Sequence, residues 1–542
     1  MCATQPTSAP SDARCASLVR ILSGDHVGIQ GRTVEVQVDV SSRGAPGFTV
    51  VGLAGKSIRE SRERIRSAIS NSGFRFPFQQ RILVNLAPAA EEKQGSGFDL
   101  AIAIGILLAS GQAPLLHDHL GPSGILAGAG MLGELGLNGE VRPVPGALLV
   151  TDALKAWGAS TVIVPRGNAP ESSLVRGVRV RAAADLHEAL RALAGDGEQG
   201  SACAESPGLN EESDSDAEAR ASSLELSDVR GQETVKRALA VAAAGGHNLL
   251  LCGPPGAGKT MLARRLPGIL PPLTFSEAME VTRILSILGG ESPGGLACER
   301  PFRSPHHTIS YAGLVGGGSR LRPGEVTRAH CGVLFLDELP EFHRSALEAL
   351  REPLEEGRIS LGRSSGSTTF PARFVLVAAM NPCPCGYLGQ ARRRCTCSAA
   401  SIESYRQRIS GPLLDRLDLH ITVRAVDPSD LVEPRTRAPG STTAQVRALV
   451  LAARRRQADR WGEGISNAAV SLERLLEDGR VRGSGLDALR KSADRLGLSA
   501  RGFARTLRLA RTVADLEDGD DVDARQVAEA LQYRELAGGL SG

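Results

Sequence analysis

The sequence predicts an α/β protein centred on a parallel sheet, with an α+β domain before it and a helical domain after it. Three observations predict this. Residues 248–379 hold three short apolar runs that end in polar chemistry: Asn248–Cys252, Val333–Leu336 and Phe374–Ala379. Strands covered on both faces of a parallel sheet read this way. Residues 444–531 then show helical patterning over Ala444–Arg460, Leu472–Glu477, Leu486–Leu496, Ala500–Leu516 and Ala524–Leu531. Residues 17–190 mix β-rich runs (Thr33–Val40, Phe48–Val51, Arg81–Leu86) with helical patterns (Ile58–Ser72, Leu100–Ser110, Ala147–Trp157).

Taken in order, residues 1–16 read as a disordered tail and residues 17–190 as the α+β domain. Residues 191–222 read as a linker: polar, acidic and nearly free of large apolar groups, they cannot bury enough surface to fold. The parallel-sheet domain occupies 223–432, and the helical domain 433–542 follows a Pro/Gly/Thr-rich stretch, Glu433–Thr443. A chain of 542 residues is too long for one hydrophobic core, so several domains are expected.

Composition narrows the function classes. The chain is 42% hydrophobic and 23% charged, as soluble globular proteins are. Aromatic residues make up only 3%, which argues against a surface built of base-stacking platforms. The formal net charge is +3, but residues 195–222 carry eight acidic residues and one Arg, a net of −7, so the rest carries +10. A basic body fits a polyanionic partner. The N-terminus lacks the apolar core of a secretory signal. The longest apolar stretch, Leu100–Ser110, is too short to span a bilayer. A cytoplasmic protein with no membrane partner is expected.

The chemistry starts at Gly253-Pro254-Pro255-Gly256-Ala257-Gly258-Lys259-Thr260, between the first apolar strand and an apolar helix expected over Met261–Leu266. Strand, glycine-rich loop and helix form the setting of a phosphate cradle. Glycines let backbone N–H groups turn inward around phosphate oxygens. Lys259 reaches the β- and γ-phosphates, and the Thr260 hydroxyl ligates Mg²⁺. The cofactors expected are therefore ATP and Mg²⁺. Val333–Leu336 ends in Asp337 and Glu338. Asp337 positions Mg²⁺, and Glu338 accepts a proton from the attacking water or orients it. The third strand ends in Asn381, suited to hold that water.

Ten cysteines occur, four of them as Cys383-Pro-Cys385 and Cys395-Thr-Cys397. Four thiolates can close a tetrahedral Zn²⁺ site. C-x-C is tighter than the usual C-x₂-C, and free or redox-active thiols are the alternative. A knuckle here would brace the loop after Asn381 and present Arg392–Arg394 outward. His306 and His307 lack a third ligand at obvious spacing, so a structural or loop role is expected. Arg358–Arg363 and Thr368–Arg373 read as two strands of a hairpin, with Arg363 near its tip.

These residues resemble a known family. The segments LELSDVRGQETVKRALAVAAAGGHNLLLCGPPGAGKTMLARR (224–265), FRSPHHT (302–308), GEVTRAHCGVLFLDELPEF (324–342) and ISGPLLDRLDLH (409–420) look like the YifB/ComM family. These are bacterial AAA+ proteins related to the ATPase subunit of magnesium chelatase and to MCM helicases. The resemblance covers about residues 17–535. It implies a homo-hexameric ring with ATP sites between subunits. It implies an arginine finger at Arg416 and a second sensor at Arg501, with Arg505 as the alternative on the same helical stripe. The box Asp228–Gln232 resembles the adenine-side entry of AAA+ proteins. His306 and His307 fall in the region of an inserted hairpin near the ring's pore, and the hairpin bearing Arg363 faces DNA in related helicases.

The N-terminal region resembles the ribosomal-S5-like fold of the Lon protease domain. The Lon pattern places its nucleophile on Gly97 and its Lys on Leu148, with Ser96 one residue off, so no peptidase activity is expected. The resemblance further implies a motor on branched or single-stranded DNA, independent of sequence, working alongside recombination proteins in branch migration or natural transformation. A magnesium-chelatase-like motor that remodels a partner protein is the alternative.

Overall fold

The protein is described here by a computed structural model covering residues 18–53, 55–89, 93, 95–113, 116, 125–194, 224–289, 294–318, 321–363, 366–390, 393–425 and 442–534. The expected tail, most of the expected linker and most of the Pro/Gly/Thr-rich stretch lie outside these residues. Residues 191–194, expected in the linker, instead complete the helix Leu186–Ala194, which buries Leu186, Ala189 and Ala192. The chain forms two compact units: residues 1–210 with 282–296, and residues 211–281 with 297–542.

The first unit is built on a mixed sheet of seven strands. In chain order its strands are β1 (Leu18–Val27), β2 (Gln30–Ser41), β3 (Gly47–Val51), β4 (Arg81–Ala87), β5 (Ile125–Met131), β8 (Thr161–Pro165) and β9 (Arg179–Ala183), arranged β3-β4-β2-β1-β5-β8-β9. A small hairpin, β6 (Glu134–Leu135) with β7 (Val141–Arg142), stands apart from it. β2 alternates, burying Val34, Val36, Val38 and Val40, as a half-covered strand should. Helix Asp99–Ala109 is buried at every position and forms the centre of the core. Strand β1 was not expected, because Arg20, Ser23, Asp25 and His26 interrupt its pattern. Pairing with β2 resolves the conflict: Arg32 Nη2 donates to Asp25 Oδ2 at 2.7 Å, which partners the nearly buried carboxylate.

The second unit carries a sheet of five parallel strands. They are β10 (Leu249–Cys252), β11 (Phe302–Arg303), β14 (Val333–Leu336), β17 (Val375–Met380) and β18 (Leu419–Thr422), in the order β11-β14-β17-β10-β18. Two hairpins lie outside it: β12 (Gly316–Gly317) with β13 (Arg322–Pro323), and β15 (Arg358–Arg363) with β16 (Gly366–Pro371). Strands β10, β14 and β17 are buried throughout. The chain leaves β10, builds the sheet to one side, and returns to lay β18 on the other. Ligands in open parallel sheets bind at the carboxyl ends where such a reversal occurs.

The helices of the C-terminal region are Thr443–Trp461, Leu472–Asp478, Gly483–Leu496, Ala500–Leu516 and Ala524–Gln532, each within three residues of its expected bounds. Thr442 caps the first with a capping box, and Asp523 caps the last in the same way. Their core joins that of the sheet in one hydrophobic cluster containing Leu249, Val377, Leu507, Val513 and Val527. Polar ties cross between them: Arg237 Nε donates to Glu529 at 3.0 Å, and the His420 N–H donates to the Tyr533 carbonyl at 2.7 Å. Arg511 is fully buried and spends its charge on Asp515 at 2.9 Å and on the carbonyls of Gly479, Gly519 and Asp520.

His420, on β18, is 4% exposed, and burial pushes its imidazolium down to about 4. The unfolded chain therefore holds one more proton than the folded one between about pH 6.5 and 4. Stability is fully present above pH 6.5 and is lost as the pH falls through that window, by on the order of 3 kcal/mol at the acid end. Urea midpoints at pH 7 and pH 5 check this: the wild type should lose stability on acidification, and His420→Gln should lose distinctly less.

Candidate nucleotide site

The loop Gly253–Thr260 leaves the carboxyl end of β10. Gly256 and Gly258 adopt left-handed φ values of +76° and +84°. A Cβ at either would meet nothing within 4 Å, so glycine is required there for conformation and not for space. At Gly253 the requirement is steric, since a Cβ would collide with the Val423 carbonyl. The helix after the loop is shorter than expected. In place of one helix over Met261–Leu266, a helix over Lys259–Ala263 stops and another runs Leu266–Ile269. Pro267 explains the break: it offers no N–H, and its ring clashes with the carbonyl four residues earlier, that of Ala263.

The Lys259 ammonium is buried and donates to the Gly253 carbonyl at 2.6 Å, the Pro254 carbonyl at 3.0 Å and Asn381 Oδ1 at 3.0 Å. Burial pulls its pKa below the ordinary lysine value, and the charge of Asp337 opposes the shift. The Thr260 hydroxyl donates to Asp337 Oδ2 at 2.8 Å, while Asp337 Oδ1 accepts the Glu338 N–H at 3.0 Å. One loop thus touches the carboxyl ends of both β14 and β17. A hydroxyl and a carboxylate oxygen in contact make a fitting edge of an octahedral Mg²⁺ shell. Lys259, held by neutral oxygens, suits exchange onto the more strongly attracting oxygens of a polyphosphate.

Glu338 stands at φ +53°, a conformation that costs a non-glycine residue energy and is retained mainly at functional sites. Its exposed carboxylate lies 3.2 Å from His307 Nδ1. His307 packs against His306, with ring centroids 4.1 Å apart, and edge-on to Phe342. Beyond the structural or loop role expected for this pair, His307 touches the carboxylate assigned to the attacking water. Its distance in sequence from Glu338 hid this. The segment follows β11, however, and β11 pairs in parallel with β14.

The arginines named from the resemblance stand in different surroundings. Arg416 is 8% exposed, its guanidinium bound to Glu355 and, at 2.6 Å, to the Pro412 carbonyl. It is therefore not presented as a free cation, and a role in a neighbouring subunit requires it to leave Glu355. Arg501, Arg505 and Arg508 share one stripe and line a cavity of about 380 Å³ with Ala500 and Ala504. Arg505 Nε lies 3.5 Å from Asp418, and Arg508 Nε donates to the Val470 carbonyl at 2.7 Å. Arg501 is exposed and, among the described residues, has neither a hydrogen-bond nor an ion-pair partner. In the entry box, Gln232 Nε2 donates to the Arg424 carbonyl at 2.6 Å.

Cys383, Cys385, Cys395 and Cys397 are free thiols whose sulfurs lie within 4.8 Å of one another. Arg392 lies outside the described residues. Arg393 is exposed, as expected, and stacks 4.0 Å from the Tyr387 ring while donating to its hydroxyl. Arg394 is exposed as expected. The Arg363 side chain also lies outside the described residues. In the first unit, the Ser96 hydroxyl donates to the Glu134 carboxylate, the Lys93 ammonium donates to the Pro88 carbonyl, and Leu148 is buried.

A parallel sheet that divides its phosphate loop, carboxylate pair and terminal amide among adjacent strand ends, with a helical domain packed behind it, is an AAA+ ATPase domain. Models of the magnesium-chelatase subunit ChlI match residues 34–168 and 225–431, and a model of that subunit's C-terminal part matches 440–534. YifB of Escherichia coli is 42% identical over 513 residues, covering 94% of this chain and 96% of YifB. Competence protein ComM of Haemophilus influenzae is 41% identical over 520 residues, covering 96% of this chain and 98% of ComM. The 67 kDa magnesium-chelatase subunit of Heliobacterium mobile is 27% identical over 204 residues, 32% of this chain and 30% of that protein. The chain belongs to the YifB/ComM family. Membership implies ATP and Mg²⁺ as cofactors, which the donor set described above fits. Among the described residues no helix is long and apolar enough to cross a membrane.

His307 generates a prediction. If it holds Glu338 in line, His307→Ala should lower kcat for ATP about tenfold while nucleotide affinity changes little, with partial recovery in His307→Asn. Steady-state ATPase alongside fluorescent-nucleotide titration reads both quantities. Equal loss of affinity and kcat would show that His307 merely supports the fold.

Proposed function

We propose that the chain is an ATP-hydrolysing DNA motor, working as a homo-hexameric ring in branch migration during recombination or natural transformation. The observation that carries this reading is similarity over 96% of the chain with a competence protein, in a chain that also carries Lys259, Thr260, Asp337, Glu338 and Asn381. The basic balance of the chain outside residues 195–222 suits a phosphate backbone. Contacts of that kind hold DNA without reading its sequence.

In this reading Lys259 exchanges its loop carbonyls for phosphate oxygens, and Thr260 and Asp337 hold Mg²⁺. Bound Mg²⁺ neutralises charge on the transferring phosphoryl group. Glu338 takes the proton of the attacking water, and Asn381 orients that water. Arg416 of one subunit leaves Glu355 to meet developing charge in the neighbour's site, and the unpartnered Arg501 acts as second sensor from the helical domain. Ser96 donates to a carboxylate and Leu148 stands where a Lys is needed, so the first unit is read as non-proteolytic. Cytoplasmic DNA and recombination proteins are the partners of this reading.

The ChlI models favour a second reading, a motor that remodels a partner protein. It has less support, because the 67 kDa chelatase subunit of Heliobacterium mobile matches only 32% of this chain, against 96% for the competence protein.

ATPase measured with and without branched DNA, across a salt series, separates the two. The expected outcome is stimulation by DNA that falls steeply as salt rises, because phosphate contacts release counterions. Hydrolysis indifferent to every form of DNA contradicts the DNA-motor reading.

A further inference from the structure

The four thiols stand at distances that two disulfides cannot explain. Cys383 Sγ lies 3.4 Å from Cys385 Sγ and 3.7 Å from Cys395 Sγ, and Cys385 Sγ lies 3.6 Å from Cys395 Sγ. A disulfide would draw a pair to about 2.05 Å. A tetrahedral ion with metal–sulfur bonds of about 2.3 Å places its ligands about 3.8 Å apart, close to what is seen. The Cys397 N–H donates to Cys395 Sγ at 3.4 Å, the kind of bond that supports a thiolate. Cys383 is wholly buried, so its sulfur faces the cluster and not solvent.

The same loop rests on the nucleotide site. Gly386 lies one residue after Cys385 at φ +83°, and its N–H donates to the Cys383 carbonyl at 2.9 Å. A Cβ there would stand 2.6 Å from Pro255 Cδ, inside contact distance, and 3.8 Å from Asn381 Cγ. The turn between the first two thiols and the rest of the cluster thus lies directly against the phosphate loop and the residue that binds Lys259. Nothing larger than hydrogen fits between them.

We propose that Cys383, Cys385, Cys395 and Cys397 bind one Zn²⁺, and that this ion clamps the backbone which holds Pro255 and Asn381 in position for nucleotide. Four thiolates with no redox demand select zinc over harder cations. The clamp rests on the nucleotide-site reading; the metal site does not. Ligation releases the thiol protons to solvent, with no change of oxidation state.

Two measurements on the full-length chain test this. Metal analysis of the purified protein should give about one zinc per chain, falling below about half in the double variant Cys395→Ser/Cys397→Ser. Less than half an equivalent in the wild type, or iron in its place, overturns the zinc assignment. The clamp is read with Gly386→Ala, which keeps all four ligands. It should retain zinc, yet bind a fluorescent ATP analogue about tenfold more weakly. Retained zinc with unchanged affinity overturns the clamp and leaves the metal site standing. If the double variant does not fold, mercurial release of zinc from the wild type, followed by nucleotide titration before and after zinc is restored, replaces it. Affinity that ignores the release contradicts the proposal.

Discussion

Two neighbouring residues hold the site together by binding in different directions. Lys259 reaches Asn381 at the end of β17, and Thr260 reaches Asp337 at the end of β14. The loop between Cys252 and Lys259 must therefore turn sharply, which the left-handed Gly256 and Gly258 allow. The registry of the sheet makes both reaches short. Strand β17 lies between β10 and β14, with Leu251 opposite Ala379 and Leu336 opposite Ala378. A slip of one residue in either pairing would turn every buried side chain of that strand to the wrong face. The apolar runs that build the sheet are thus also what sets the spacing of the polar ends.

The surroundings keep these polar groups under tension of a useful kind. Lys259 is withdrawn from water among neutral oxygens, so an anion that reaches it meets a cation already partly desolvated. Glu338 is held in a strained backbone state beside His307. The helical region contributes from the other side. Asp418, just before β18, faces both His247 and Arg505, which ties the sheet's edge strand to the helix Ala500–Leu516. Movement of that helix would reach the sheet through this contact, and the same helix carries Arg501.

Much of this was legible in the sequence for a simple reason. Val333–Leu336 and Asp337–Glu338 are contiguous, so strand, burial and chemistry read as one unit. The phosphate loop reads equally well, because glycine spacing reports backbone conformation directly. What stayed hidden depends on distant residues. Strand β1 needed Arg32 to explain Asp25. The buried Arg511 is accounted for only by Asp515 and three carbonyls brought to it in the fold. The His307–Glu338 contact spans the pairing of β11 with β14, and Arg416 is committed to Glu355, 61 residues away. The interrupted helix after the loop was within reach, since Pro267 marks it.

The most direct test concerns the contact between Thr260 and Asp337. Nucleotide affinity is measured with and without Mg²⁺ for Thr260→Val, Asp337→Asn and the double variant, as a double-mutant cycle. If one magnesium ion sits on both side chains, each single substitution removes most of the Mg²⁺-dependent gain in affinity, and the double removes little more. Losses that simply add, or a Mg²⁺ gain that survives both substitutions, would contradict a shared metal edge and with it the coupling of the phosphate loop to β14.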